Sequence, residues 1–206
     1  MMRRSFTRIA LALALASASS PLLCTASADV PPPALDRVQL ADPPRKLADF
    51  ELTDQNGKQL KLSDLRGEPV LVFFGFAHCP DVCPSTLRVL KSAHAAQDRA
   101  LRRVRIVMIS VDGERDTPAA MKAFLAPISK DFIGLTGDPK KVLDIARQFS
   151  AIFFKGPPTN AAGDYLMQHT SQVYLIDRAG RLRATFFDAP VETLVQVTRA
   201  VADEKI

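Results

Sequence analysis

Apolar runs, turn residues and helix-start signals follow one another along this chain and predict an alternation of strands and helices. Residues 70–74 and 104–111 are apolar with little alternation, as is typical of strands buried on both faces of a sheet. Residues 50–53 and 59–62 flank an Asn-Gly pair, which is a strong signal for a hairpin turn. The sequence therefore predicts an N-terminal hairpin followed by buried central strands.

Helix starts are marked by prolines, several of them preceded by capping side chains. Proline is tolerated in the first turn of a helix because its missing N–H would have no partner there. The predicted helices begin near Pro84, Pro118, Pro139 and Pro190 and end near Arg99, Leu125, Phe149 and Ala202; further strands are expected at 132–136, 151–155, 172–177 and 182–187, with a loop at 156–164. This order predicts an α/β fold of thioredoxin-like arrangement, with a central mixed sheet flanked by helices and an N-terminal β-hairpin extension.

The N-terminal segment predicts export. Three arginines precede an apolar stretch at 9–16, and small residues at 26–28 suit a cleavage site. This pattern is typical of a secretory signal peptide spanning 1–28, and the apolar stretch is short for a membrane span. We expect a periplasmic protein, or a membrane-anchored one if the signal is not cleaved.

The residues after the signal predict a proline-rich linker at 29–47 and one domain at 48–206. Because the signal segment holds three arginines and no acid, the net charge falls from +5 to +2 once it is removed. No stripe of basic residues with interleaved aromatics is present, so a nucleic acid partner is not expected. Nothing suggests an obligate assembly, and we expect a monomer.

Two cysteines, Cys79 and Cys83, lie where the first buried strand turns into a helix. The only other cysteine, Cys24, is within the predicted signal. A pair four residues apart can form a disulfide, bind a soft metal, or do both in turn, and a helix N-terminus is expected to lower the thiol pKa. A purely structural disulfide is a weaker interpretation, because so short a loop gains little from closure.

Three histidines compete as further ligands. His78 adjoins Cys79, but neighbouring side chains usually point apart, and His94 lies about three turns along the helix. His169 precedes a predicted strand, and the residues alone leave open whether it is a ligand. Met167 could be a weak thioether ligand, although a methionine beside a strand is more often part of the core.

Four segments resemble one family. Gly75-Phe76-Ala77-His78-Cys79-Pro80-Asp81-Val82-Cys83-Pro84 is similar to the signature of the SCO/SenC proteins, which are copper-handling assembly factors for cytochrome c oxidase. The three further segments that match are 110–118, 164–169 and 173–182. The resemblance covers residues 46–204 and implies a thioredoxin-like fold.

The resemblance implies that Cys79, Cys83 and His169 bind one copper ion. Two thiolates and an imidazole form a soft donor set that suits Cu(I), and Cu(II) with a further weak ligand, whereas zinc would need a fourth ligand. The implied function is a metallochaperone that supplies the dinuclear copper centre of cytochrome c oxidase subunit II. Other expected partners are further copper chaperones or a thioredoxin-like reductant. The alternative is a thiol–disulfide oxidoreductase that reduces partner cysteines before copper insertion.

The chain departs from the family pattern at two positions. Gln168 replaces an acid beside the histidine, which removes a negative charge near the metal and is expected to alter its binding. Gly113 replaces a usual proline, which is expected to loosen one turn with little effect. Asp81 and Asp112 are both expected near the site.

Overall fold

The computed structural model describes residues 35–95 and 103–204, within one compact unit. The ten strands are β1 Val38–Lys46, β2 Glu51–Asp54, β3 Gln59–Lys61, β4 Val70–Gly75, β5 Arg105–Ser110, β6 Ile133–Thr136, β7 Phe153–Pro158, β8 Tyr165–His169, β9 Val173–Ile176 and β10 Arg181–Phe186. The four helices are α1 Val82–His94, α2 Pro118–Leu125, α3 Pro139–Gln148 and α4 Val191–Asp203. Short 3-10 turns precede β1 and follow β3.

Eight strands form one mixed sheet in the order β1-β10-β9-β4-β5-β6-β2-β3. The pairs β4–β5 and β5–β6 are parallel, whereas the other neighbours are antiparallel. Strands β7 and β8 form a separate two-stranded sheet. This is the predicted thioredoxin-like α/β fold, and its N-terminal hairpin β2–β3 joins the central sheet through β6.

Local chemistry explains the central elements. Every residue of β4 is buried, as expected for a strand covered on both faces. Thr117 caps α2 by accepting a hydrogen bond from the Ala120 amide at 3.2 Å. Asp138 caps α3 by accepting from the Lys140 amide at 2.9 Å. The sequence predicted both helix starts, and both are confirmed.

The predicted proline-rich linker is wrong over β1, which pairs with β10 at one edge of the sheet. Its backbone is extended as expected, but it belongs to the domain. Pairing shifts register between Leu40 and Arg45, around Pro43 and Pro44. Proline lacks an amide donor, so in sheets it is confined mainly to edge strands and to irregularities, and β1 offers both. Residues 29–34 of the predicted linker lie outside the described residues, as does the whole predicted signal peptide.

Two further predictions need correction, and one strand was missed. Helix α1 begins at Val82 instead of Pro84, so Cys83 lies inside its first turn. The predicted end of this helix, near Arg99, lies outside the described residues. Strand β7 extends to Pro158, into the predicted loop. Strand β8 was not predicted at all. Among the described residues, no helix is both long and apolar enough to cross a membrane.

Candidate metal centre

The two cysteines lie on either side of the start of α1. Cys79 belongs to the loop after β4 and is partly exposed, whereas Cys83 is fully buried. The backbone amide of Cys83 donates to Cys79 Sγ across 3.3 Å. Both thiols are free. The helix start therefore presents an amide donor to the more accessible sulfur, and such a bond strengthens when the sulfur is ionised.

His169 reaches the cysteines from the end of β8. Its Nε2 atom lies 3.6 Å from Cys83 Sγ. Its Nδ1 atom lies 2.9 Å from the carbonyl oxygen of Thr170, a contact that places the ring proton on Nδ1. The Nε2 lone pair is then directed at the thiols, which is how histidine ligands are usually oriented.

Two phenylalanines hold the imidazole ring in place. Phe73 and Phe76 contact it edge-on, with ring centroids 5.9 and 5.7 Å from that of His169. Both side chains are almost completely buried. The ring is therefore held both by apolar packing and by the bond to the Thr170 carbonyl.

Burial controls protonation at this centre. It raises the pKa of the Cys83 thiol well above its ordinary value, although the hydrogen bond from the Phe76 backbone opposes this. The prediction of a lowered thiol pKa is therefore wrong for Cys83 in the metal-free protein, because desolvation outweighs the helix N-terminus. Burial also lowers the pKa of His169, opposed by the bond to Thr170. The imidazole is thus kept in the neutral form that binds metals.

The candidate ligand atoms of Cys79, Cys83 and His169 all lie within 4.8 Å of one another. They are positioned to bind one metal ion, since metal bonds to sulfur and nitrogen are about 2.0–2.3 Å long. An open cleft of about 300 Å³ adjoins them and is lined by Cys79 and His169 together with Val82 and Leu166. The centre is therefore accessible from one side.

The remaining candidates take other positions. His78 bonds Asp116 through Nδ1 at 3.2 Å, and Asp81 precedes α1 with its carboxylate 3.3 Å from the Ser85 hydroxyl. Asp112 binds Arg115 rather than the cysteines. His94 ends α1, and Met167 lies against the core while lining the cleft.

A second group, composed of His78, Asp112 and Asp116, also has its donor atoms within 4.8 Å of one another. Both carboxylates are buried and already engaged. Asp116 accepts from the Ser110 hydroxyl at 2.6 Å and from the Ala77 amide at 2.8 Å. We interpret this group as structural, because its oxygens are occupied by internal donors.

The two departures from the family pattern have different consequences. Gln168 lies on the exposed face of β8, and the ring of His169 is oriented by Thr170 instead. Gly113 packs so closely that a Cβ atom there would lie 2.2 Å from the carbonyl oxygen of Gly137. The expectation that Gly113 has little effect stays a prediction, but the position leaves no room for a side chain, because the backbone of a neighbouring loop occupies that space.

Sequence reasoning missed Thr170 and the two phenylalanines that contact His169. The phenylalanines lie in or next to a buried strand, so the sequence marked them only as core. Thr170 acts through its backbone carbonyl, for which no residue type gives a signal.

Fold and site together define a thioredoxin-like protein with two thiols and one imidazole arranged for metal binding. The sequence model described as SCO1/SenC matches residues 38–203. The chain belongs to the SCO1/SenC family.

Several known proteins are similar to this chain. A SCO2-like protein of Rickettsia conorii is 32% identical over 152 residues, which cover 73% of this chain and 74% of that protein. The structure of Bradyrhizobium japonicum ScoI with copper bound is 38% identical, with a TM-score of 0.68, and covers 76% of this chain and 99% of that one. BsSco, a member of the Sco family of cytochrome c oxidase assembly proteins with a disulfide switch, is 27% identical with a TM-score of 0.65, covering 81% and 99%.

Proposed function

We propose that this protein is an exported copper metallochaperone that binds one copper ion through Cys79, Cys83 and His169. The observation that carries the proposal is the 3.6 Å approach of His169 Nε2 to Cys83 Sγ, between residues 86 positions apart in the chain. The similarity to ScoI with copper bound supports copper as the metal. Two thiolates and a neutral imidazole favour Cu(I), and the open cleft leaves room for a further weak ligand to Cu(II).

The proposed role is the supply of copper to the dinuclear copper centre of cytochrome c oxidase subunit II. Support comes from the similarity to BsSco, which belongs to a family of oxidase assembly proteins. Release to a partner requires that incoming ligands reach the ion. The partly exposed Cys79 at the cleft offers that route, since it is the ligand an incoming group can displace first. The predicted signal peptide supports a periplasmic location, where other copper chaperones could load the protein.

Copper titration of the reduced protein tests the ligand set. Metal content and ligand-to-metal absorption are recorded for the wild type, for His169→Ala and for His94→Ala, a matched control at the far end of α1. We expect one tightly bound copper in the wild type and the control, and weakened binding in His169→Ala with an unchanged circular dichroism spectrum. Equal binding by all three proteins would refute the ligand assignment.

Thiol–disulfide exchange is a second candidate function, favoured by the free thiols and the partial exposure of Cys79. In this reaction Cys79 attacks a partner disulfide, Cys83 displaces the partner, and the two cysteines end as a disulfide while the partner gains two thiols. A thioredoxin-like reductant must then restore the pair. The similarity to BsSco, with its disulfide switch, supports this alternative.

His169→Ala separates the two functions. If the protein is a reductase, the substitution should leave its rate of partner reduction nearly unchanged, because the redox groups are the cysteines. If it is a metallochaperone, the substitution should abolish metallation of the partner. The assay uses an oxidised subunit II fragment and measures free thiols and bound copper in parallel. Retained reduction with retained metallation would contradict a ligand role for His169.

A further inference from the structure

The histidine of the centre stands on a hairpin that is outside the main sheet. Strands β7 and β8 pair only with each other among the described residues. An isolated two-stranded hairpin is marginally stable in water. The position of His169 relative to the cysteines therefore depends on side-chain contacts between this hairpin and the rest of the domain.

Those contacts concentrate at Tyr165, at the other end of β8. Its hydroxyl donates to Asp112 Oδ1 at 2.9 Å. The guanidinium carbon of Arg115 lies 3.7 Å from the centroid of its ring. Lys155, which lies on β7 of the same hairpin, places its Nζ 3.9 Å from that centroid and joins the two strands of the hairpin to each other. Burial and the bond to Asp112 raise the pKa of Tyr165 to about 12, so the phenol remains a donor. Tyr165 and His169 share the less exposed face of β8, as residues four apart in a strand do.

Arg115 connects the hairpin to the domain a second time. One of its terminal nitrogens donates to the carbonyl oxygen of Tyr165 at 3.0 Å. Its Nε donates to Asp112 Oδ2 at 2.6 Å. Asp112 is only 3% exposed, and its amide donates to the Ser110 hydroxyl at 3.0 Å. The hairpin is thus hydrogen-bonded to a loop whose own conformation is stabilised by internal hydrogen bonds.

The same loop also holds the cysteine side of the centre. Asp116 is fully buried and accepts from the amide of Ala77, two residues before Cys79. It bonds His78 as well, and its own carbonyl accepts from the Thr136 hydroxyl at 2.6 Å. One segment between β5 and α2 therefore touches both halves of the metal centre.

We propose that residues 112–116 form a brace that fixes His169 relative to the cysteines and so sets how long a bound metal is retained. Asp112 and Arg115 position the histidine hairpin, and Asp116 positions the cysteine loop. These are positioning residues, since none of them is among the three residues placed around the metal. The part that concerns metal retention rests on the proposed copper function.

Two substitutions test the histidine side of the brace. Tyr165→Phe removes the bond to Asp112 and keeps the ring, whereas Arg115→Met removes the charge and the guanidinium donors and keeps an unbranched apolar side chain. Arg147→Met is the matched control, because it breaks a similar ion pair of 2.7 Å with Asp144 on the exposed face of α3.

Hydrogen exchange of the metal-free proteins is the first measurement. We expect amides of β7 and β8 to exchange roughly tenfold faster in both variants, since each substitution removes a bond to a charged group. Exchange in β4 and β9 should stay at the wild-type rate, which separates a local release of the hairpin from a general loss of stability. Wild-type exchange rates for the amides of β7 and β8 in both variants would refute the proposal that these residues hold the hairpin.

Release of Cu(I) to excess bathocuproine disulfonate is the second measurement. We expect both variants to bind one copper and to release it roughly tenfold faster than the wild type and Arg147→Met. Wild-type release rates in both variants would overturn the role in retention. If the wild type itself binds no copper, the proposed function fails, and the exchange experiment alone decides whether the brace holds the hairpin.

Discussion

Gly75 lies beneath the metal centre, and replacing it with alanine should disturb both the fold and the site. A Cβ atom there would lie 2.6 Å from Phe73 Cε1, 3.1 Å from Cys83 Sγ and 3.1 Å from Met108 Cε. Ordinary contact begins at 3.4 Å, so the closest approach falls 0.8 Å short. The rings and chains around it are almost completely buried, which leaves them little room to move.

The expected destabilisation is about 1–3 kcal/mol, which is usual for an extra methyl group in a packed core. For a domain of this size, each kcal/mol corresponds to about 2–4 °C in melting temperature. Phe73 must absorb most of the strain, and Phe73 also contacts the ring of His169. The added methyl group should therefore displace both Cys83 and His169 and weaken copper binding.

Urea denaturation and copper titration of Gly75→Ala measure the two effects. Gly137→Ala is the matched control: its Cβ would approach only the end of the Leu52 side chain, at 2.7 Å, and no cysteine. We expect the control to be destabilised less and to bind copper like the wild type. Wild-type stability together with wild-type copper binding in Gly75→Ala would refute the reasoning.

Five further outcomes follow from the same structure. Asp116→Ala should cost about 2 kcal/mol in urea denaturation, because it leaves buried donors without an acceptor; unchanged stability would contradict this. Gly113→Ala should cost about 1–3 kcal/mol in the same assay, because its Cβ meets a backbone carbonyl at 2.2 Å. In the metal-free protein at pH 8, iodoacetamide should label Cys79 before Cys83, which is buried and has a raised thiol pKa, as mass spectrometry of the peptides would show. An NMR titration should place the pKa of His169 below 6.5. Because the unfolded state then binds more protons, stability should fall as the pH drops from about 6.5 through the folded pKa.

The central elements could be predicted because their signals are local. An unbroken apolar run marked β4, and a polar cap before a proline marked the starts of α2 and α3. Each of these signals lies within a few residues of the element that it marks. The order of the elements then indicated the thioredoxin-like sheet without knowledge of distant contacts.

Strands β1 and β8 could not be predicted because their signals are obscured. The prolines of β1 argue against a strand, and its position at the sheet edge together with the register shift makes them tolerable. In β8, Tyr165, Leu166 and Met167 are all apolar and are followed by two polar residues, so no alternation is visible. Burial nevertheless alternates along β8, because the hairpin lies against the domain on one face only.

The candidate site, like the fold, could be predicted from the sequence only in part. The spacing of Cys79 and Cys83 marked a reactive pair, since both flank one helix start. His169 was left undecided by its own residues, and only the family resemblance selected it. Its approach to Cys83 depends on the hairpin and on Phe73, which are tertiary features with no sequence period.

The candidate ligands Cys83 and His169 are carried by different parts of the fold, and this affects how a metal could be released. Cys83 is carried by the buried sheet and helix α1, so its position can change only if the core changes. Within the described part of the chain, His169 is carried by a hairpin that shares no backbone pairing with that sheet. A ligand on such a hairpin can withdraw without unfolding the domain, whereas the thiols remain in place. Under the proposed function, metal transfer would then end at the buried Cys83, and where it begins at the histidine the contacts that hold the hairpin control the first step.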